Sequence, residues 1–209
     1  MKLGYSIIAS NLLEIKNDIS KLNFVNFLHV DIMDGHFVKN VTLGHSIIDD
    51  ILKHFPNKFI DVHLMIDDPT LNLKKLKNAN RIFIHVESIK RDGQRLEELI
   101  TFSKKNNITL GLAISPKTNI SDLFPYLHQL TNIMIMSVEP GKCGQKFIPE
   151  TIQRIDIIKA RFPNVQVQVD GGINSNNIQI LANHNVDSIV IGSALKKESD
   201  QIKEIISQT

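Results

Sequence analysis

Phe27-Leu28-His29-Val30-Asp31-Ile32-Met33-Asp34-Gly35 is the stretch around which the rest of the chain is organised. Phe27–Asp31 has the composition of a buried strand. Side chains alternate between the two faces of a strand, so His29 and Asp31 share one face, and Met33 continues it if the strand runs that far. An imidazole and a carboxylate on one face of an apolar strand are costly to bury unpaired. A bound metal ion is one remedy, and a mutual hydrogen bond is the other. Gly35 then opens a loop over Asp34–Thr42.

Working outward, strand and helix patterns alternate along the whole chain. Before the motif stand a strand over Leu3–Ile8 and a helix capped by Ser10 or Asn11 that reaches about Lys21. After it come a helix over His45–His54, a strand over Lys58–Met65 and a helix opened by Asp67-Asp68-Pro69. A strand over Arg81–Val86 precedes a helix over Arg91–Lys105, with Leu96, Leu99 and Ile100 on one stripe. Ile108–Ile114, Asn132–Val138, Val165–Val169 and Val186–Ile191 read as further strands. Asn119–Tyr126, Glu150–Arg161, Asn174–Asn183 and Glu198–Ser207 read as the helices among them, and Glu139–Phe147 as a loop. Strict alternation implies a parallel sheet. Eight units with short connections predict a single-domain (β/α)8 TIM barrel over residues 1–209. An open doubly wound sheet is the competing architecture, but no G-x-G-x-x-G follows the first strand.

Composition narrows the function classes. The 24 Lys+Arg and 22 Asp+Glu leave a net charge of +2 with no basic block, so neither nucleic acid nor a membrane surface is indicated as a partner. The lone Cys143 excludes an intramolecular disulfide and fits a reducing compartment. No apolar run approaches the roughly 20 residues of a membrane span. Met1–Ser6 lacks the charged, apolar, small-residue order of a signal peptide, so the expected location is cytoplasmic.

Active sites of such barrels lie at the C-terminal ends of the strands. Those ends carry Ser6, His29, Asp31, Met33, His63, Met65, His85, Glu87, Ser115, Ser137, Glu139, Asp170, Gly171, Gly172, Gly192 and Ser193, whereas the strand bodies are mostly apolar. His29, Asp31, His63 and Asp170 are candidate ligands of one divalent metal ion, and two imidazoles with two carboxylates suit Zn, Fe, Mn or Co. The same four would otherwise be hydrogen-bonded core groups. Gly171-Gly172 and Gly192-Ser193 follow strands seven and eight, where barrels often bind phosphate on backbone N–H groups, and Gly141 and Gly144 stand on the preceding loop. Ordinary turn glycine is the alternative for each pair. Two carboxylates beside a metal suit proton transfer next to a carbonyl, because the metal polarises the carbonyl while the carboxylates remove and return the proton. Opposed carboxylates would give epimerisation and a single base would give isomerisation; spacing leaves both open.

With these residues assembled, the chain resembles the ribulose-phosphate 3-epimerase family over almost its whole length. His29-Val30-Asp31-Ile32-Met33-Asp34-Gly35-His36-Phe37-Val38 is similar to the family's H-[LIV]-D-[VI]-M-D-G-x-F signature, and Asp61-Val62-His63-Leu64-Met65 to its D-[VC]-H-L-M. Met136-Ser137-Val138-Glu139-Pro140-Gly141, Asp170-Gly171-Gly172-Ile173 and Gly192-Ser193-Ala194 resemble its later motifs in order. The resemblance implies a ribulose-phosphate-binding barrel that interconverts D-ribulose 5-phosphate and D-xylulose 5-phosphate, in the non-oxidative branch of the pentose phosphate pathway. It implies 1,1-proton transfer at C3 through a metal-bound enediolate, with Asp31 and Asp170 as the catalytic acid–base pair and His29, Asp31, His63 and Asp170 as metal ligands. Ser6, His63 and the loop Gly141, Lys142, Cys143, Gly144 would contact the sugar phosphate, and Gly171, Gly172, Gly192 and Ser193 would hold its phosphate. Met33, Met65 and Met136 would surround the reacting carbon. The resemblance also implies a homo-oligomer, dimeric or hexameric.

The chain departs from the family pattern at Tyr5, at Ala9-Ser10-Asn11 and, more consequentially, at Lys142-Cys143, which replaces Phe-Gly in a G-F-G-G loop. Lys142 could add a positive charge near the phosphate. A D-allulose-6-phosphate 3-epimerase and a non-catalytic sugar-phosphate-binding barrel are the two competing functions. His36, His45, His54, His128 and His184 are read as solvated, His85 and Glu87 as supporting groups, and Asp34 as holding its own loop.

Overall fold

Eight parallel strands close on themselves, with β8 returning to pair with β1. They are β1 (Lys2–Ser6), β2 (Phe27–Met33), β3 (Phe59–Met65), β4 (Arg81–His85), β5 (Thr109–Ile114), β6 (Asn132–Met136), β7 (Gln166–Asp170) and β8 (Ser188–Ile191). The computed structural model describes residues 1–71, 73–89 and 93–209. The connecting helices are α1 (Ile15–Lys21), α2 (Ser46–His54), α3 (Val86–Ile89), α4 (Gly93–Lys105), α5 (Thr151–Arg161), α6 (Ile178–Asn183), α7 (Ser193–Lys197) and α8 (Ser199–Ser207). Among the described residues no helix is long and apolar enough to cross a membrane.

Period-two alternation separates two cores. Leu28, Val30, Ile60, Val62, Ile82, Ile84 and their counterparts point outward and pack under the helices in one large apolar layer. Each such side chain contributes about 1.5–3 kcal/mol when fully buried. Phe83, Ala113, Met134, Met136 and Val138 form a separate cluster. The barrel interior is otherwise polar through its middle, where His29, Asp61, His63, His85, Gln168 and Ser188 are all buried. Toward the N-terminal end the guanidinium of Arg81 lies 5.0, 5.7 and 5.0 Å from the ring centres of Phe27, Phe59 and Phe83.

Several boundaries differ from the sequence expectation. The first helix begins at Ile15, because the Ser10 hydroxyl bonds that of Tyr5 at 2.8 Å and Asn11 closes a local turn onto Leu13 N. After Pro69 the described residues form only a 3-10 turn at Leu73–Leu76, and Asp68 holds Thr70 through its backbone N–H and hydroxyl. The segment after β5 is a 3-10 helix, Ile120–Tyr126, capped by Asn119 and containing Pro125. The expected start at Arg91 lies outside the described residues, but Leu96, Leu99 and Ile100 do form the buried stripe of α4. Helix α6 starts at Ile178, since Asn177 is spent on a turn with Asn174 N. Strand β2 runs on to Met33, so Phe27, His29, Asp31 and Met33 face inward together.

Candidate active site

Strand register brings the first ligand candidates together. Asp31 on β2 lies opposite His63 on β3, and His29 lies opposite Asp61. Asp170 reaches the same point from the end of β7. Nε2 of His29 is 3.4 Å from Asp31 Oδ1 and 3.8 Å from Asp170 Oδ2. Nδ1 of His63 is 3.1 Å from Asp31 Oδ1 and 3.7 Å from Asp170 Oδ2. One ligating atom from each of the four residues lies within 4.8 Å of the other three.

This arrangement fits a divalent cation. Nδ1 of His29 is engaged by Asp61 at 2.7 Å, which leaves Nε2 aimed between the two carboxylates; that atom is fully buried and has no hydrogen-bond partner among the described residues. Two imidazoles and two carboxylates converging on one point form a donor set that divalent ions accept. Burial opposes charge on His29, but Asp31 and Asp61 outweigh it and draw its pKa well above the ordinary imidazole value. The pull that holds a proton there would hold a cation instead.

The two carboxylates differ sharply. Burial raises the pKa of both, but the neighbouring His29 charge above all reverses this at Asp31 and holds it well below the usual carboxylate range. Ser6 Oγ donates to Asp31 Oδ2 at 2.8 Å and favours the same ionised form. At Asp170 burial prevails over the attraction of His29, Asp31 adds repulsion, and the carboxyl is pushed up to about 7. Two acids facing one space with ionisation driven apart are the usual signature of paired acid–base work.

A cavity of about 250 Å³ opens above them. Its walls include Ser6, Asp31 and Asp170, the methionines Met33, Met65 and Met136, the loop residues Gly141, Lys142, Cys143 and Gly144, and Gly171, Gly172, Gly192 and Ser193. Of the expected substrate contacts only His63 is not part of this wall; it is buried directly beneath. Gly171 has φ +111° and Gly172 φ +66°, and a Cβ on them would come within 2.3 Å of Val138 and 2.4 Å of the Phe147 backbone. Only glycine fits either place. The Lys142-Cys143 loop is tied at both ends: Asn40 donates to the Gly141 carbonyl, and Gln145 to those of Glu139 and Lys142 at 2.7 and 2.9 Å. Burial, then the Asp31 and Asp170 charges, push the Cys143 thiol up to about 11, which leaves it a poor nucleophile.

Asp61, Arg81 and Gln168 form a layer that the sequence reading did not single out. Asp61 accepts from His29 Nδ1, from Arg81 Nε at 2.6 Å and from Gln168 Nε2 at 2.8 Å, and Ser188 donates to Gln168 at 2.8 Å. The available signal was parity: Asp61 and Gln168 stand two residues before His63 and Asp170 on the same strand faces. His85 and Glu87 connect to the site through His63: Nε2 of His85 lies 2.8 Å from Nε2 of His63, and its Nδ1 3.1 Å from Glu87 Oε2. Asp34 does hold its loop, accepting from the backbone of His36, Phe37 and Asp67. His36, His54 and His128 are exposed, while His45 and His184 are partly covered, the latter paired with Asp156 at 2.6 Å.

Residues 2–196 match the model of the ribulose-phosphate 3 epimerase family. The chain is 34% identical over 188 residues to a ribulose-phosphate 3-epimerase of Chlamydia muridarum, covering 86% of this chain and 80% of that protein. It is 32% identical over 209 residues to that of Helicobacter pylori, covering 96% and 93%. A 3-hexulose-6-phosphate synthase from Salmonella typhimurium superposes with a TM-score of 0.76 at 16% identity, covering 100% of this chain and 99% of the other. A 3-keto-L-gulonate-6-phosphate decarboxylase from Vibrio cholerae superposes with a TM-score of 0.74 at 11% identity, covering 99% of this chain and 97% of the other. At such identities the two structures show a shared fold.

Proposed function

The chain belongs to the ribulose-phosphate 3-epimerase family, and on that premise we propose that it interconverts D-ribulose 5-phosphate and D-xylulose 5-phosphate with the help of one divalent cation. The observation that carries this reading is the pair Asp31 and Asp170, lining one cavity with opposite tendencies to ionise. Asp31, ionised, takes the C3 proton from one face of the ketose. Asp170, protonated, delivers a proton to the other face, and the roles exchange in reverse. Ser6 keeps Asp31 ionised and oriented. His29, Asp31, His63 and Asp170 would hold a cation such as Zn, Fe, Mn or Co. When bound, such an ion offsets the negative charge that builds on the ketose oxygens as C3 loses its proton. Gly171, Gly172, Gly192 and Ser193 present backbone to the phosphate, Lys142 adds a positive charge, and Met33, Met65 and Met136 keep the reacting carbon in apolar surroundings.

The decisive experiment is proton NMR of ribulose 5-phosphate in D2O with metal-loaded protein and a chelator-stripped control. Deuterium at C3 appearing together with xylulose 5-phosphate, only in the loaded sample, is expected. Exchange without the epimer would remove Asp170 from its role. Absence of exchange would overturn the substrate assignment, and D-allulose 6-phosphate is the next compound to test. We extend the reading to a cytoplasmic homo-oligomer: a relative from Oryza sativa is named a cytoplasmic isoform, and Leu12, Leu13, Val41 and Leu43 leave apolar surface on loops that follow the adjacent strands β1 and β2. Light scattering that returned a monomer mass would reject the oligomer.

A further inference from the structure

Beneath the cation candidates runs a chain of contacts that the proton transfer itself does not use. Nε2 of His63 lies 2.8 Å from Nε2 of His85, and Nδ1 of His85 lies 3.1 Å from Glu87 Oε2. Both rings are fully buried. Glu87 is fixed by its other oxygen, Oε1, which accepts from the Ser115 N–H at 2.9 Å and from the Thr118 hydroxyl. Two neutral imidazoles carry one N–H each. Those two protons must serve three contacts: Asp31 with His63, His63 with His85, and His85 with Glu87; the Ser115 hydroxyl, 3.4 Å from His85 Nδ1, adds only a long contact there.

Only two arrangements avoid setting either two bare nitrogens or two N–H groups against each other at 2.8 Å. In the first, His63 donates from Nε2 to His85, and His85 donates from Nδ1 to Glu87. Nδ1 of His63 is then bare and faces Asp31 and Asp170. In the second, every N–H points the other way: His63 donates from Nδ1 to Asp31, and a bare Nδ1 of His85 faces the Glu87 carboxylate. That contact sets lone pair against anion. In the first arrangement the bare Nδ1 of His63 meets Asp31 Oδ1 at the same 3.1 Å, but Asp31 also has the His29 ring 3.4 Å from that oxygen and accepts from Ser6 on the other, so it depends less on the proton of His63.

We propose that Glu87 and His85 are positioning residues that select the His63 tautomer with a bare Nδ1, so that His63 is ready to take the cation. The inference rests on the proposed cation site but concerns residues outside the ligand set. A carboxylate that orients a ligating histidine through its second nitrogen is a common support for metal sites; here an additional imidazole stands between the two.

The geometry supplies an unusual test. In Glu87→Gln the donors Ser115 and Thr118 keep the amide oxygen at the Oε1 position. The amide nitrogen then occupies the Oε2 position and donates to Nδ1 of His85. The whole chain inverts, and a proton is placed on Nδ1 of His63. Glu87→Ala removes the preference without imposing the opposite one. Cobalt(II) titrations against a competing chelator should show a loss of affinity of about tenfold or more in Glu87→Gln, and a smaller loss in Glu87→Ala. A merely structural role predicts the reverse order, because glutamine preserves shape and alanine does not. Nitrogen-15 spectra of the metal-free proteins should place the His85 proton on Nδ1 in wild type and on Nε2 in Glu87→Gln. Equal cobalt affinity in wild type and Glu87→Gln, a larger loss in Glu87→Ala, or an Nε2 proton on His85 in wild type would each overturn the proposal. A wild type that takes up no cobalt would reject the cation site itself, a result the spectra of metal-free protein distinguish from failure of the tautomer assignment.

Discussion

Asp61 accepts a hydrogen bond from Nδ1 of His29 at 2.7 Å, and neither side chain is exposed to solvent. The same carboxylate also receives Arg81 and Gln168. Removing it takes the acceptor from two buried donors and from a largely covered guanidinium. Asp61→Ala is therefore expected to destabilise the fold by about 3–5 kcal/mol, the usual result of breaking a buried ion pair from one side. Denaturant unfolding of the metal-free protein measures it. An effect under about 1 kcal/mol would mean that the layer is solvated and that His29 is oriented by other groups.

Asp31→Asn and Asp170→Asn should each lower epimerisation by at least about 10²-fold, the lower end of what a positioned acid or base contributes. Far-UV circular dichroism should be unchanged. Coupled-enzyme assay of xylulose 5-phosphate formation is the readout, and near-wild-type turnover in either variant would refute the two-carboxylate mechanism.

Asp170 also makes a prediction about stability. Its pKa in the folded, metal-free protein is raised from the ordinary 3.8 to about 7. Between those values the folded chain binds the proton that the unfolded chain has released, so the contribution of this carboxyl to stability falls as pH rises through that window. Asp170→Asn carries no such penalty. In metal-free protein its thermal midpoint should match wild type near pH 4 and exceed it at pH 8. A difference independent of pH would show that Asp170 is not buried as a strained anion.

Gly172→Ala should disturb the site more than the surface location of its loop suggests. The new methyl would sit 2.4 Å from the Phe147 backbone nitrogen, at a φ of +66°. The loop must move, and the backbone offered to phosphate moves with it. A rise in KM for the sugar phosphate, with a loss of stability of about 1–3 kcal/mol, is expected from steady-state kinetics and thermal unfolding. An unchanged KM would place the phosphate elsewhere.

Lys142 stands on the cavity wall where the family pattern has an aromatic residue. If it meets the phosphate, Lys142→Ala should raise KM while leaving kcat unchanged, because the interaction is the same in ground and transition states. The salt dependence of kcat/KM should weaken in parallel. A fall in kcat alone would assign the lysine to loop closure instead.

Much of this protein is legible in its sequence. The alternation of apolar strands and amphipathic helices prescribes eight parallel units, because each strand must bury both faces and each helix one stripe. Strand parity then puts His29 beside Asp31 and turns both inward, and it places Asp170 and the paired glycines at the same end. Less regular pieces resist such reading. The turns at Ser10, Asp68 and Asn177 begin or displace helices through side-chain bonds that compete with the backbone, and periodicity does not register them.

What only the folded barrel decides is which buried groups meet. Asp61 and Gln168 are 107 residues apart in the chain and 2.8 Å apart in space, and their contact follows from closure and stagger of the barrel rather than from either local pattern. The same is true of His63 and His85, whose facing nitrogens decide where a proton can sit. Strand sequence sets the direction in which each side chain points. Its partner across the interior, and with it the charge and tautomer of every ligand candidate, is set by the three-dimensional packing, because electrostatic and hydrogen-bond energies depend on distances that no spacing along the chain determines.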